Sequence, residues 1–264
     1  MKSIILLASL LLFSGSCVAA INPGSDIGTG GELIFSVWDD TTQTSYTLDL
    51  GIDSRSFNPN QDHSFILSSD QNWNTFISGV STDDIRWNIV ASDRDSHPSL
   101  SGNGLSSNGL TFTGRTNDST VLDLGANFLN TLQYNTENYI YHLDGTDTVF
   151  AENNSYLHSG TNYAGSPEIQ TLIANLAFPT YGDYGESLAF WHVGTTTHPE
   201  YPWIQEAVHM KDSGTWTLSG NTLVYSSGHL GFQMLAPVVV PVPAAIWLLA
   251  SSLVGLGSVA RRRR

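Results

Sequence analysis

Two carboxylates set among aromatic rings, Asp183 and Glu186 beside Tyr181, Tyr184, Phe190 and Trp191, are the first residues to consider for acid–base chemistry. Hydrolysis of a glycosidic bond needs such a pair about 5 to 10 Å apart. With 24 acidic residues in the chain, nearly any fold offers one, so the pair is a starting point and not a signature. His192, His198 and Glu200, in HVGTTTHPE, carry metal-ligating groups, but they lack the one-turn HExxH spacing that sets two imidazoles on one helical face. Asp93 and Asp95, in DRDSH, share a side if extended, and Asp144 and Asp147 flank a glycine turn; carboxylates so spaced can hold Ca²⁺. Neither stretch has the further acids and closing Glu of an EF-hand loop, and turn-forming Asp is the plainer reading of both. Trp203, in HPEYPWIQ directly after Pro202, is the ring expected to lie exposed and to meet polysaccharide. Trp87, Trp191 and Trp216 stand in alternating runs and are expected to point inward. The chain has no Gly-x-Ser-x-Gly elbow, no phosphate-binding glycine loop and a single cysteine, Cys17. The expectation is a non-enzymatic protein with no catalytic residue and no cofactor. The alternative is a secreted carbohydrate-active enzyme or a Ca²⁺-dependent carbohydrate-binding protein.

The elements that must carry these groups are strands. Short apolar or alternating runs, separated by Gly, Asn, Asp and Ser, fill the chain from Ile21 to Pro237. GELIFSVWD (Gly31 to Asp39), SYTLDLGI (Ser45 to Ile52), IRWNIVASD (Ile85 to Asp93), GLTFTGR (Gly109 to Arg115) and SLAFWHV (Ser187 to Val193) are five of them. GTWTLS (Gly214 to Ser219) and NTLVYS (Asn221 to Ser226) make a hairpin, because Gly220 and Asn221 both tolerate positive φ. Seven or more short strands predict a mainly β fold, an antiparallel β-sandwich or jelly-roll-like domain with a few short helices. Pro167 to Leu176, opened by Ser166-Pro167-Glu168, has the start signals of a helix; Leu124 to Gln133 and Asp70 to Ile77 are further helical stretches. With no fixed-period repeat, one domain over 21–237 is the simplest organisation.

Both ends read as addresses. Residues 1–20 have one basic residue (Lys2), an apolar run from Ile4 to Phe13 and small residues closing at Val18-Ala19-Ala20, the parts of a signal peptide cut after Ala20 by the general (Sec) export route. A lipoprotein reading would make Cys17 the lipidated residue, but Ser14 stands where that signal wants Leu. At the other end, Val238 to Ala260 is 23 residues without a charge, enough helix to cross a hydrocarbon core of about 30 Å. Arg261, Arg262, Arg263 and Arg264 follow, and by the positive-inside rule they stay in the cytoplasm. Pro241 and Pro243 keep the entry to that span extended. Removing leader and tail leaves five basic residues against all 24 acidic ones, a formal charge of −19. Such a body is a poor partner for nucleic acid or anionic lipid.

Residues 238–264 resemble the C-terminal sorting signals of the PEP-CTERM class: the motif Val240-Pro241-Val242-Pro243-Ala244, an apolar helix with Trp247-Leu248 and Gly255-Leu256, and the arginine cluster. Val242 stands where the name motif has Glu, which makes this the Val-Pro-x-Pro-Ala variant. The resemblance implies recognition by an exosortase-type enzyme, transient anchoring in the inner membrane and release to the cell surface or to extracellular polysaccharide. The body, in GELIFSVWDDTTQTSYTLDLGI, DQNWNTF and ESLAFWHV, also resembles secreted proteins that carry such tails, a group with no established activity.

Overall fold

A computed structural model describes residues 31–93, 105–115, 136, 138, 155–166, 181–197, 205–228 and 233–234. The described strands are β1 (Glu32–Asp39), β2 (Thr44–Asp53), β3 (His63–Ile66), β4 (Ile85–Asp93), β5 (Leu105–Gly114), β6 (Ser155–Ser159), β7 (Gly182–Asp183), β8 (Ser187–Thr197), β9 (Gln205–Ser219), β10 (Thr222–Ser226) and β11 (Gln233–Met234). The helix α1 (Gln71–Gly79) lies between β3 and β4. The mainly β, antiparallel character expected from the sequence is present. The strands hydrogen-bond along one path, β3-β10-β9-β8-β5-β4-β1-β2-β6, with β7 added on β4 and β11 on β9.

Alternation gives the sheet two faces. Phe35 stands opposite Leu48 and Ile89, and this face carries Leu33, Val37, Tyr46, Trp87, Phe190, Trp216 and Tyr225 into one aromatic core. Phe57 sits at its centre, with ring centroids 5.1 Å from Phe190 and 5.0 Å from Tyr225. Such pairs add about 0.5–1.5 kcal/mol each beyond the area they bury. The reverse face is also buried, with Ile34, Trp38, Val90, Phe112 and Trp191 beside a polar row, Thr47, Ser36 and Asn88, in register across β2, β1 and β4. The inward direction expected for Trp87, Trp191 and Trp216 holds, since all three are buried.

The sheet curls, and α1 shows by how much. Six strand spacings of about 4.8 Å separate β10 from β2 along the path, about 29 Å if the sheet were flat. Trp73 of α1 nevertheless touches both arms. Its ring packs edge-on against Tyr46 of β2 at 5.4 Å, and its indole N–H donates to Asn221 Oδ1, in the turn before β10, at 2.9 Å. Asn72 Nδ2 donates to the Ser155 carbonyl of β6 at 3.0 Å, fastening the helix to the far edge. The helix starts where Asp70 Oδ1 accepts from the backbone N–H of Asn72 (2.7 Å) and Trp73 (3.4 Å), an N-cap that satisfies two otherwise unpaired amides. The other carboxylate oxygen of Asp70 accepts from the Tyr46 hydroxyl at 3.0 Å, and burial, then the nearby Asp70 charge, push the Tyr46 pKa up.

The hairpin expected at Ser219-Gly220-Asn221 is there, with Ser219 paired to Thr222. Only Gly220 takes positive φ (59°), the requirement of a type II′ turn. Asn221 stays at negative φ and uses its side chain on Trp73 instead. The leader (1–20), the helical stretches Leu124 to Gln133 and Pro167 to Leu176, and the apolar span Val238 to Ala260 lie outside the described residues. Among the described residues no helix is long and apolar enough to cross a membrane.

Candidate functional site

The corner holding Asp183 and Glu186 is the most heavily bonded of the charged clusters among the described residues. It is built on a turn from β7 into β8, where the Glu186 N–H donates to the Asp183 carbonyl at 2.9 Å and Gly185, at φ 84°, supplies the left-handed position of a type II turn. The turn is held from three sides. Trp87 Nε1 donates to the Asp183 carbonyl at 3.0 Å, the Gly185 N–H to the Leu218 carbonyl at 2.9 Å, and the Tyr184 hydroxyl to the Gly220 carbonyl at 2.7 Å.

Into this corner reaches Arg115, which follows β5. Its Nε donates to Glu186 Oε1 at 2.8 Å and its Nη2 to Glu186 Oε2 at 3.2 Å, while Asp183 Oδ2 lies 3.6 Å from Nη2. Glu186 Oε2 also accepts the Asp183 N–H at 3.0 Å. The hydrogen bonds from Arg115 hold the Glu186 carboxyl below the usual carboxylate range, and the same bonds raise Arg115. A general acid needs the opposite, a carboxyl raised toward the working pH. The aromatic neighbours do not complete a cleft either, because Phe190 points into the core and Trp191 into the reverse face. The pair that the sequence offers for glycosidic chemistry is an ion-pair clamp on a strand turn.

Other acids of the described residues serve backbone turns. Asp39 Oδ1 accepts from the Thr41 N–H at 2.6 Å, Asp49 Oδ1 from Gly51 at 2.7 Å and Asp53 Oδ1 from Arg55 at 2.7 Å. A second surface cluster joins Arg86 Nη1 to Asp40 Oδ2 at 2.8 Å, with the Tyr163 hydroxyl on Asp40 Oδ1 at 3.1 Å and the guanidinium over the Tyr181 ring at 5.2 Å. Burial, then the Asp40 charge, push the Tyr163 pKa up to about 12. This cluster pins the segment after β6 to the β1–β2 loop.

The histidine reading of HVGTTTHPE is half visible. His192 faces the core, its Nδ1 3.0 Å from Thr111 Oγ1 and its ring 5.0 Å from Phe190, whereas His198 and Glu200 lie outside the described residues. Asp93 closes β4 and pairs with Gly109 in the ladder. Asp95, Asp144, Asp147 and Trp203 lie outside the described residues, as do Ala20, Val240 to Ala244 and Arg261 to Arg264. Among the described residues no three of His, Cys, Asp and Glu converge as metal ligands.

One concavity was not anticipated. A groove of about 280 Å³ runs between the last turn of α1 and β6, lined by Thr75, Phe76, Gly79, Leu157 and Ser159 among others. Leu157, 41 % exposed, is one of two large apolar side chains at the surface among the described residues, and the Thr75 hydroxyl is spent on the Gln71 carbonyl at 2.9 Å. The sequence signal was present in SYLHS, a short alternating run too small to stand out. Comparison with protein-family models, with curated proteins and with solved structures finds no match for this chain.

Proposed function

We propose that this chain is an exported surface or extracellular-matrix protein, sorted through residues 238–264 by an exosortase-type enzyme and associated with exopolysaccharide. The observation that carries this reading is the order of three parts in the sequence: the Val240-Pro241-Val242-Pro243-Ala244 motif, an uncharged apolar run to Ala260, and Arg261 to Arg264. Each part has its physical task. The prolines withhold the backbone from helix and offer it to a processing enzyme, the apolar run anchors, and the arginines stop transfer. The leader up to Ala20 engages the Sec machinery and sets the same orientation, with the body outside the inner membrane. The body, 21–237, is a sandwich-like domain in which two arms of one curled sheet face each other across an aromatic core. It needs no disulfide, in keeping with a chain whose one cysteine, Cys17, lies in the leader. Its acidity suits a solvated outer face and not a nucleic-acid partner.

Intact-mass analysis of the extracellular protein tests the proposal. The expected mass is that of a chain beginning at Ile21 and lacking Arg261 to Arg264. A secreted chain still ending in Arg264 refutes sorting, and normal processing after Pro241→Ala with Pro243→Ala refutes the motif as the recognised element.

A further inference from the structure

Strand β3 is an end strand of the described path and has only four residues, so its hold on the fold depends on what its inward side chains touch. Phe65 stacks near Trp216 at 6.3 Å. His63 stacks on Phe57 with centroids 5.5 Å apart and planes 28° from parallel, and lies 6.1 Å from the Tyr225 ring. Its Nε2 is buried with no hydrogen-bond partner. A neutral imidazole tolerates that place, because the buried nitrogen can be the one without a proton. An imidazolium carries N–H on both nitrogens and would bury a charged donor with no acceptor.

We propose that His63 is a pH-sensitive latch: while neutral it holds β3 and the loop bearing Phe57 onto β10, and protonation releases them. The groups that face it are few. Asp62, adjacent in the chain, favours the cation, but its Oδ1 is held by the Ser227 N–H at 2.8 Å. Tyr225 of β10 turns its hydroxyl away, onto the Pro59 carbonyl at 2.9 Å. His192 of β8 lies beyond Phe57, 6.4 Å from that ring. The aromatic faces attract a cation, but less strongly than a buried charged N–H without an acceptor costs. Burial outweighs Asp62, and the pKa of His63 is lowered. The sign follows. Because the open state binds the proton more readily, the latch is at full strength above the ordinary histidine value of about 6.5 and weakens as pH falls through it. The loss levels off once pH reaches the lower closed-state value. One proton limits the slope to about tenfold in the opening equilibrium per pH unit.

Hydrogen exchange of the full-length chain in detergent micelles, corrected for intrinsic exchange at each pH, reads this directly. Protection at Phe65 and at its β10 partner Leu223 should fall below pH 6.5 by up to about tenfold per unit, while the β1–β4 ladder stays constant. His63→Gln should flatten the profile, and His63→Lys should leave β3 open at pH 7.5. An unchanged profile in His63→Gln overturns the proposal. So does a His63 imidazole that titrates above 6.5 by NMR in the native chain, a measurement that decides the matter if the variants fail to fold.

Discussion

Removing the hydrogen bond between Trp73 and Asn221 tests whether α1 fastens the two arms of the sheet. The perturbation is a double-mutant cycle, Trp73→Phe with Asn221→Ala. Trp73→Phe keeps an aromatic ring against Tyr46 but deletes the donor that reaches Asn221 Oδ1 at 2.9 Å. Asn221 is exposed, so its freed oxygen is rehydrated and adds no desolvation cost. Asn221→Ala alone leaves the buried Trp73 indole N–H without an acceptor, so the coupling should combine one net hydrogen bond with that penalty, about 1–3 kcal/mol. Each single change carries costs of its own, a smaller ring in the core and an altered turn, and the cycle cancels them. Trp216→Phe is the control. Its Nε1 is buried without a partner, so losing it removes an unsatisfied donor, and this change should cost less than Trp73→Phe. Urea denaturation followed by circular dichroism gives the four stabilities. Coupling under about 0.3 kcal/mol, within the additivity expected of independent sites, would show that apolar contact alone closes the sheet.

Arg115→Gln should cost only about 0.5–1 kcal/mol, since the guanidinium is 46 % exposed, and the cost should shrink in added salt, measured by denaturation at two ionic strengths. The lowered pKa of Glu186 contributes stability above its ordinary value of 4.5 that is lost as pH falls through the folded value, and Arg115→Gln should remove that acid limb. Gln43 holds φ 52°, a left-handed position that favours glycine, so Gln43→Gly should raise thermal stability by up to about 1 kcal/mol in calorimetry. Asp70→Ala deletes both the α1 cap and the acceptor of the Tyr46 hydroxyl; a loss of about 2–3 kcal/mol in urea unfolding is expected.

Strands whose apolar residues recur strongly were legible from the sequence, and the bounds for IRWNIVASD coincide with β4. What escaped was governed by neighbours. The run expected to start at Gly214 extends back through Ser213, Asp212 and Lys211 across a register shift against β8, so β9 begins at Gln205. HSFI and SYLHS, at the two ends of the described path, are runs of four and five residues too short to stand out, and their partners β10 and β2 make them strands. The Asp70 cap was readable because Asp before a helical stretch has a fixed chemistry. The fate of Asp183 and Glu186 was not, since it depends on Arg115, about seventy residues away, arriving at the same corner.

The link between Trp73 and Asn221 also spans 148 residues of chain. If the chain is exported N-terminus first, as proposed, Trp73 emerges early and waits for most of the described sheet before Asn221 arrives. The same arrangement makes closure a late and cooperative event, with a high contact order and a correspondingly slow final step.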